Sequence, residues 1–316
     1  MTIIVTPLGG ITTSPTTSGV TCLSLVQDVC VELGLPTLTS ISTTDQTTVQ
    51  VLALMNRLGN TLVTEREWQV LSAEHRFITS FYEVTGDTLE GSYALTNLSS
   101  VTELSTDFMV TGSGVQQDTF VTSVGTNSVT LNQPALTTAI GVTFTFGQVK
   151  YPMPADFDRI INKTMYNKSN RWAIVGPKDA QEWQWLKSSY ITAGPRMRFR
   201  IINNKFTLWP IPNANLTMGF EYVSNSWVVA ADGTGKSKFT NDTDVSLFPA
   251  ALLILGTKLK FYEAKGFDTS NLRNDYIREL DKYKATEAAA DTLSLSPRQN
   301  SMLLTMNNLP DSGYGG

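Results

Sequence analysis

The stretch RMRFRIINNKFTLWPIP, residues 196–212, decides the β part of this fold. Basic and apolar residues alternate over residues 196–202, the pattern of a strand with one buried face. The pair Asn203-Asn204 favours a tight turn, and residues 205–212 then form a second strand. Residues 216–223 alternate as well. Four apolar residues share one side of that strand: Leu216, Met218, Phe220 and Tyr222.

The region after these strands predicts two helices. The first runs from about residue 248 to 264 and ends at Lys265-Gly266, because glycine is the usual residue just past a helix C-terminus. The second runs from about residue 269 into the 280s. Their apolar stripes are Leu252, Leu255, Leu259 and Tyr262 in the first helix, and Leu272, Tyr276, Leu280 and Tyr283 in the second.

The region before the strands also predicts two helices, which pack most simply as an antiparallel pair. One begins at Thr21 and stops at Gly34 and Pro36, and the other begins after the cap-like Thr43-Thr44-Asp45. The stripes are Leu23, Val26, Cys30 and Leu33 in the first, and Val51, Leu54, Met55, Leu58 and Leu62 in the second. Cys22 and Cys30 share the first helix about 12 Å apart, too far for a disulfide. This is consistent with folding in a reducing cytoplasm.

Residues 96–148 differ in kind, since threonine dominates and charge nearly vanishes. Short alternating segments with a turn at residues 125–127 predict a small β module inserted into a host domain. The predicted class is therefore α+β, with a helical bundle domain, a mixed β-hairpin domain and an inserted small all-β module. The segments are an N-terminal arm (1–20), a helical pair with the first strands (21–95), the module (96–148), β-hairpins with the C-terminal helices (149–290) and a C-terminal arm (291–316).

The two arms lack sustained periodicity. The N-terminal arm is rich in Thr, Ser, Pro and Gly, and the C-terminal arm contains two prolines and a glycine-rich end. The C-terminal arm also holds an apolar cluster that either orders on a partner or is plainly disordered. This cluster is Met302, Leu303, Leu304 and Met306.

Charge divides the chain unevenly. The net charge is −4 and only 16% of the residues are charged. Residues 1–149 contain 3 basic and 12 acidic residues, whereas residues 150–316 contain 21 basic and 16 acidic ones. Such a split indicates surfaces for different partners, but the basic half is too mildly charged to indicate nucleic-acid binding. We find neither a signal peptide nor an apolar run long enough to span a membrane.

The segment AADGTGKS, residues 230–237, fits the loose form of a phosphate-binding loop. That motif works only where a glycine-rich turn opens a helix, here near Lys236. The following residues, rich in Asn, Asp, Thr and Ser, favour turns rather than a helix interior. We therefore predict a loop at residues 232–235 between a strand and a later helix, and no nucleotide site.

Catalytic and metal sites find little support. His75 is the single histidine, and we predict it at a surface or strand edge. A zinc site is not expected, because the chain has one histidine and its two cysteines share one helix. The closest carboxylate pairs are Asp156 with Asp158 and Asp242 with Asp244. We expect the first pair to cap a turn and the second to precede a helix whose positive end favours acids. No enzyme activity and no cofactor are predicted.

The arginines of the hairpin are more informative. Arg196, Arg198 and Arg200 fall on one face of a strand, opposite Met197, Phe199 and Ile201. Three like charges on one face repel one another, so the face is either solvated or binds a partner. In the second case it forms an interface or a channel wall that meets carboxylates or phosphates.

The order of motifs resembles one protein family. In the first part of the chain they are LGLP, LMNRLGNTL and REWQVL, followed by YPMPADFDRI and a Gly176-Pro177 turn. Then come LWPIPN, FEYV, NDTDVSLFPAALLILGTKLKFYEAKGFD and NDYIRELDKY. Over about residues 21–95 and 150–285 the chain resembles the head-to-tail adaptor proteins (connectors, or tail-tube gatekeepers) of short-tailed bacteriophages.

The resemblance implies a structural virion protein without a catalytic motif. About a dozen copies would form a ring that joins the portal protein to the tail, seats nozzle or fibre proteins, and lets double-stranded DNA pass without specific binding. It implies a place in the virion neck, after assembly in the host bacterial cytoplasm. A different function remains open, namely a virion protein that binds or cleaves host-surface glycans through the β module. The six tryptophans, which could stack on sugars, all lie outside that module.

Overall fold

The computed structural model describes residues 19–42, 45–188 and 197–287. Within them lie five α-helices and a short 3₁₀ helix, Gln69–Leu71. The α-helices are α1 (Cys22–Glu32), α2 (Gln46–Glu65), α3 (Ala180–Lys187), α4 (Ala250–Lys265) and α5 (Ser270–Glu287).

Strands make up the rest of the regular structure, and every pair of them is antiparallel among the described residues. The first nine are β1 (Ser72–Ile78), β2 (Phe81–Thr88), β3 (Ala94–Thr96), β4 (Phe108–Gly112), β5 (Thr119–Val124), β6 (Val129–Leu131), β7 (Ala139–Gln148), β8 (Lys150–Pro152) and β9 (Phe157–Ile160). The others are β10 (Tyr166–Asn167), β11 (Trp172–Ala173), β12 (Arg198–Ile202), β13 (Lys205–Trp209), β14 (Thr217–Ser224), β15 (Val228–Val229), β16 (Gly235–Lys236) and β17 (Val245–Ser246).

The four long helices share one core in which α4 contacts α1, α2 and α5. Strand and loop residues enter the same core, among them Val223, Trp227 and Val228. The mixed α+β class is therefore confirmed. A helical bundle domain is not confirmed, because the helices bury their apolar faces together with β14 and β15 rather than only against one another.

Local signals explain where these helices begin and end. The side chain of Asp45 accepts a hydrogen bond from the Thr48 amide at the start of α2, as predicted from the sequence. Gly266 ends α4 in the left-handed conformation, with φ of 78°. The stripe of α1 is turned slightly from the prediction, since Leu25 and Val29 are fully buried whereas Leu23 and Leu33 are only half-buried.

The barrel is closed in the strand order β2-β3-β6-β5-β4-β7. It begins at Phe81, fifteen residues before the predicted start of the inserted module at residue 96. The sequence missed β2 because its inward positions include Gly86 and Thr88, so that its apolar alternation is weak. The predicted turn at residues 125–127 does connect β5 with β6.

The chain enters the barrel and leaves it at adjacent positions. The Gln148 amide donates to the Ser80 carbonyl over 3.2 Å, and Phe81 pairs with Gly147. The side-chain oxygen of Asn215 accepts from the Phe81 amide at 2.8 Å, which ties this junction to the loop before β14. The two chain crossings are therefore adjacent.

Two further sheets enclose a second core. One contains β1, β14, β10 and β11, with β9 also paired to β14, and the other has the order β12-β13-β8. The predicted side of β14 is confirmed, since Leu216, Met218, Phe220 and Tyr222 are all buried in this core. The predicted turn is confirmed too. Asn203 and Asn204 both have left-handed φ values, 49° and 55°, which a tight hairpin turn requires.

Both cysteines lie buried and unbridged on α1, as predicted. Burial raises the pKa of the Cys22 thiol to about 12, with Asp244 and Asp242 adding to the effect, and burial also raises the pKa of Cys30.

We expect the folded protein at pH 8 to resist a disulfide reagent such as dithionitrobenzoate, because thiolate is the reacting form. Protein unfolded in guanidinium should release two equivalents, and rapid labelling of the folded chain would contradict this burial.

Candidate interaction site

The phosphate-loop-like segment forms a hairpin rather than a helix start. Gly235 and Lys236 belong to β16, which pairs with β15, and the next helix begins only at Ala250. The Ala230 amide donates to the Thr234 carbonyl over 2.9 Å, which closes the turn between the two strands. The predicted loop is thus present, but it joins two strands instead of a strand and a helix. No helix N-terminus is available there to bind phosphate.

Lys236 has a structural partner. Its Nζ donates to the fully buried carboxylate of Asp244 at 2.9 Å and to the Thr240 hydroxyl at 2.8 Å. The amides of Thr240 and Asn241 donate to the same carboxylate at 2.8 and 2.9 Å. Burial opposes the charge on Asp244, but these donors outweigh it and lower the pKa of the carboxyl.

Asp242 and Asp244 accept hydrogen bonds from the start of α1 and not from the helix that follows them in sequence. Their carbonyls accept from the amides of Leu23 and Cys22 at 3.2 and 2.7 Å, in the first turn of α1. A side-chain oxygen of Asp242 also accepts from the Ile41 amide at 2.7 Å. The expectation that they serve the following helix was wrong, because α4 starts after Pro249 with no acidic residue in its first turn.

The other catalytic candidates are also held in structural contacts. Asp156 accepts from the Tyr222 hydroxyl at 2.9 Å and the Ser224 hydroxyl at 2.6 Å, while Asp158 pairs with Arg159 at 2.6 Å. His75 lies on β1, an edge strand of its sheet as predicted. There it packs against Phe77 and Phe220, and burial lowers the pKa of its imidazole. No group of three His, Cys, Asp or Glu residues that could hold a metal is found in the described part of the chain.

The face of the β12-β13-β8 sheet turned away from the second core carries four cations, which we call the cationic face, and it also includes the buried residues Thr207 and Trp209. Arg198 pairs with Trp209, and Arg200 pairs with Thr207, which pairs in turn with Lys150. Because directly opposed residues share a face, these side chains lie on the same side as that of Lys205. The cationic face therefore consists of Lys150, Arg198, Arg200 and Lys205.

The charges of the cationic face have no carboxylate partner in the described part of the chain. None of the four residues makes an ion pair with any carboxylate among residues 19–42, 45–188 and 197–287. Lys150 instead lies over the ring of Phe120, with Nζ 4.4 Å from its centroid, and Arg198 donates to the Met197 carbonyl at 3.3 Å. Strand spacings place Arg200 and Lys150 only about 10 Å apart, so the face carries concentrated positive charge.

Helix α3 covers the Trp209 end of this face and was missed in the sequence. Trp183 and Leu186 pack with Trp209, while Trp185 is 68% exposed. Lys187 pairs with Asp118 of the barrel, so the helix bridges the sheet and the barrel. A signal was present, since Asp179 caps the helix by accepting from the Glu182 amide and the pattern D-x-x-E is a helix-start signature.

Of the predicted interface residues, the structure places Arg198 and Arg200 together on β12, each half-exposed. Arg196 lies outside the described residues, and so does the C-terminal cluster of Met302, Leu303, Leu304 and Met306. Lys150 and Lys205 were not predicted. Lys205 could have been predicted from the hairpin register. Lys150 could not, because it reaches the cationic face only through the pairing of β8 with β13, more than fifty residues later in the chain.

No helix in the described part of the chain is long and apolar enough to cross a membrane. A search of curated proteins found no match. A protein-family model described as SU10 adaptor protein matches residues 117–303, more than half of the chain. The match includes all four residues of the cationic face and supports a phage adaptor-type structural protein, the coarser part of the predicted resemblance. The chain therefore belongs to the SU10 adaptor protein family.

Proposed function

We propose that this protein is a structural, non-enzymatic component of the virion neck. About twelve copies form a ring that joins the portal protein to the tail and provides a conduit for double-stranded DNA. Nozzle or fibre proteins of the tail bind on the far side, and the ring assembles in the bacterial cytoplasm. The observation that carries the proposal is the match to the adaptor family over residues 117–303.

The surface charges support a subunit that binds partner proteins. An array of cations without carboxylate partners gains little from intrachain packing and is favourable once a partner supplies the opposite charge. A net charge of only −4 suits a DNA conduit, because a strongly basic lumen would bind phosphates and slow passage. The alternative of a glycan-binding protein has less support, since four of the six tryptophans are buried and the barrel contains none.

The deciding experiment mixes the purified protein with portal rings of the same phage and images the product by electron microscopy. A second ring stacked on the portal, with matching symmetry, is the expected result. A protein that stays monomeric beside the portal rings, or that binds cell-surface polysaccharide instead, would overturn the proposed function.

Removal of the C-terminal arm gives a more specific prediction. We expect deletion of residues 291–316 to abolish stable docking on the portal while circular dichroism and thermal unfolding stay unchanged, because an arm that orders on a partner contributes to binding and not to the core. A shorter deletion of residues 307–316 keeps Met302–Met306 and serves as the control. Normal docking of the longer deletion would contradict this role of the arm.

A further inference from the structure

A groove at the surface of the barrel carries two carboxylates, which we call the acidic groove. Glu83 of β2 and Glu103 of the loop after β3 line it together with Phe81, Tyr82 and Leu104, around a volume of about 310 Å³. Both glutamates are exposed, and neither makes an ion pair within the described residues. Carboxylates and aromatic rings that line one groove suit a guanidinium, which can stack on the rings and donate to the carboxylates.

The barrel around this groove offers no positive charge. No Lys or Arg occurs from residue 77 to residue 149, whereas six acidic residues lie in the barrel: Glu83, Asp87, Glu90, Glu103, Asp107 and Asp118. Among the described residues only Asp118 forms an ion pair, with Lys187 of α3. The acidic barrel and the cationic face are thus complementary surfaces that remain largely unpaired among the residues that the structure describes.

The topology keeps these two surfaces apart in a single copy. The acidic groove lies beside β2, whereas Lys150 of the cationic face contacts Phe120 of β5. In the closed order β2-β3-β6-β5-β4-β7, two strands separate β2 from β5 in either direction. Two complementary surfaces on different sides of one subunit are what a head-to-tail contact requires, and such contacts close into rings when the rotation permits.

We propose that the cationic face of one copy docks on the acidic barrel of the next copy, with the Arg200 guanidinium entering the acidic groove between Glu83 and Glu103. Arg200 suits this role because it is half-exposed and its side chain makes no hydrogen bond or ion pair with the described residues. The inference rests on the proposed ring and names the contact that holds it together. Because the contact is between opposite surface charges, it weakens as salt rises.

Charge exchange tests this contact in the full-length protein. The face variant carries Arg200→Glu and Lys205→Glu, and the groove variant carries Glu83→Lys and Glu103→Lys. Each variant alone sets like charges against one another between copies, so self-association should weaken at least about tenfold in analytical ultracentrifugation. A mixture of the two variants makes every neighbouring contact complementary again, so association should return. Arg57→Glu on α2 and Glu67→Lys just after α2 change exposed residues outside both surfaces, so these matched controls should associate like the wild type.

The outcomes separate this inference from the proposed function. Rings that form on the portal in both variants as in the wild type would overturn the contact and leave the ring intact. Association that is restored in the mixture but yields open filaments would support the contact and overturn the ring. A wild-type protein that never self-associates, in solution or on the portal, overturns both. Loss of DNA retention instead of self-association in the face variant would show a channel wall and overturn the contact.

Discussion

Replacement of Trp227 by alanine should lower the free energy of unfolding by about 3–5 kcal/mol, the usual cost of truncating a fully buried tryptophan. The indole is fully buried, and its N–H donates to the Asn60 side chain at 3.0 Å and the Ser237 carbonyl at 2.8 Å. Its ring packs edge-on against Phe239, with centroids 4.9 Å apart. A Cβ on Gly59 of α2 would lie 2.2 Å from the indole, so the helix and the ring are closely fitted. The substitution leaves a cavity where the helices meet β15.

Urea unfolding followed by circular dichroism measures this effect without relying on tryptophan fluorescence. Trp185→Ala is the matched control, because this tryptophan on α3 is 68% exposed and its removal should change the free energy of unfolding by less than about 0.5 kcal/mol. Equal losses in the two variants would contradict the assigned role of Trp227 in the helical core.

Replacement of Lys236 by methionine should cost about 3–5 kcal/mol, because the buried carboxylate of Asp244 then loses its counter-charge. Asp244 also links the β15-β16 region to α1 through its carbonyl, so the damage reaches the start of that helix. Lys238→Met is the matched control, since Lys238 is exposed two residues further along and makes no ion pair among the described residues. If Lys236 served a nucleotide instead, its replacement would change ATP binding and leave the unfolding midpoint as in the control.

The same carboxylate predicts a pH dependence. Because the pKa of Asp244 is lower in the folded than in the unfolded chain, its ionisation stabilises the protein above the unfolded value of about 3.9. That contribution is lost as the pH falls through the lower folded value. We therefore expect the thermal midpoint of the wild type to drop below about pH 4, with a shallower drop in Asp244→Asn. Parallel curves for the two proteins would show that Asp244 is not responsible.

The sequence predicted those elements whose signals are local. Asp45 caps α2, Gly266 ends α4 and Asn203-Asn204 turns the hairpin, because each of these residues acts on the backbone beside it. The alternation of β14 was equally plain, since one of its faces is buried by the second core. The false phosphate loop could be rejected for the same reason, as the residues that follow it do not favour a helix.

The features that escaped prediction depend on contacts distant in sequence. Strand β2 has few apolar inward positions and is fixed by its long pairing with β7, some sixty residues later. The cationic face joins Lys150 to Arg200 through a register that only the folded sheet defines. The acidic groove likewise combines Glu103 of a loop with Glu83 of a strand in one lining. The sequence therefore indicated Arg198 and Arg200 as interface residues, but it did not indicate Lys150, Lys205, Glu83 or Glu103.

The adjacent chain crossings at the base of the barrel have an evolutionary consequence. Since Ser80 and Gln148 are hydrogen-bonded neighbours, a short link between them could replace the whole barrel without displacing β1 or β8. Recombination at these two points would exchange one barrel for another and leave intact the helical core and the second core, neither of which contains a barrel residue. Any replacement barrel would have to keep an apolar surface for Trp209 and Ile211, which pack against Met109 and Phe120 of the present one.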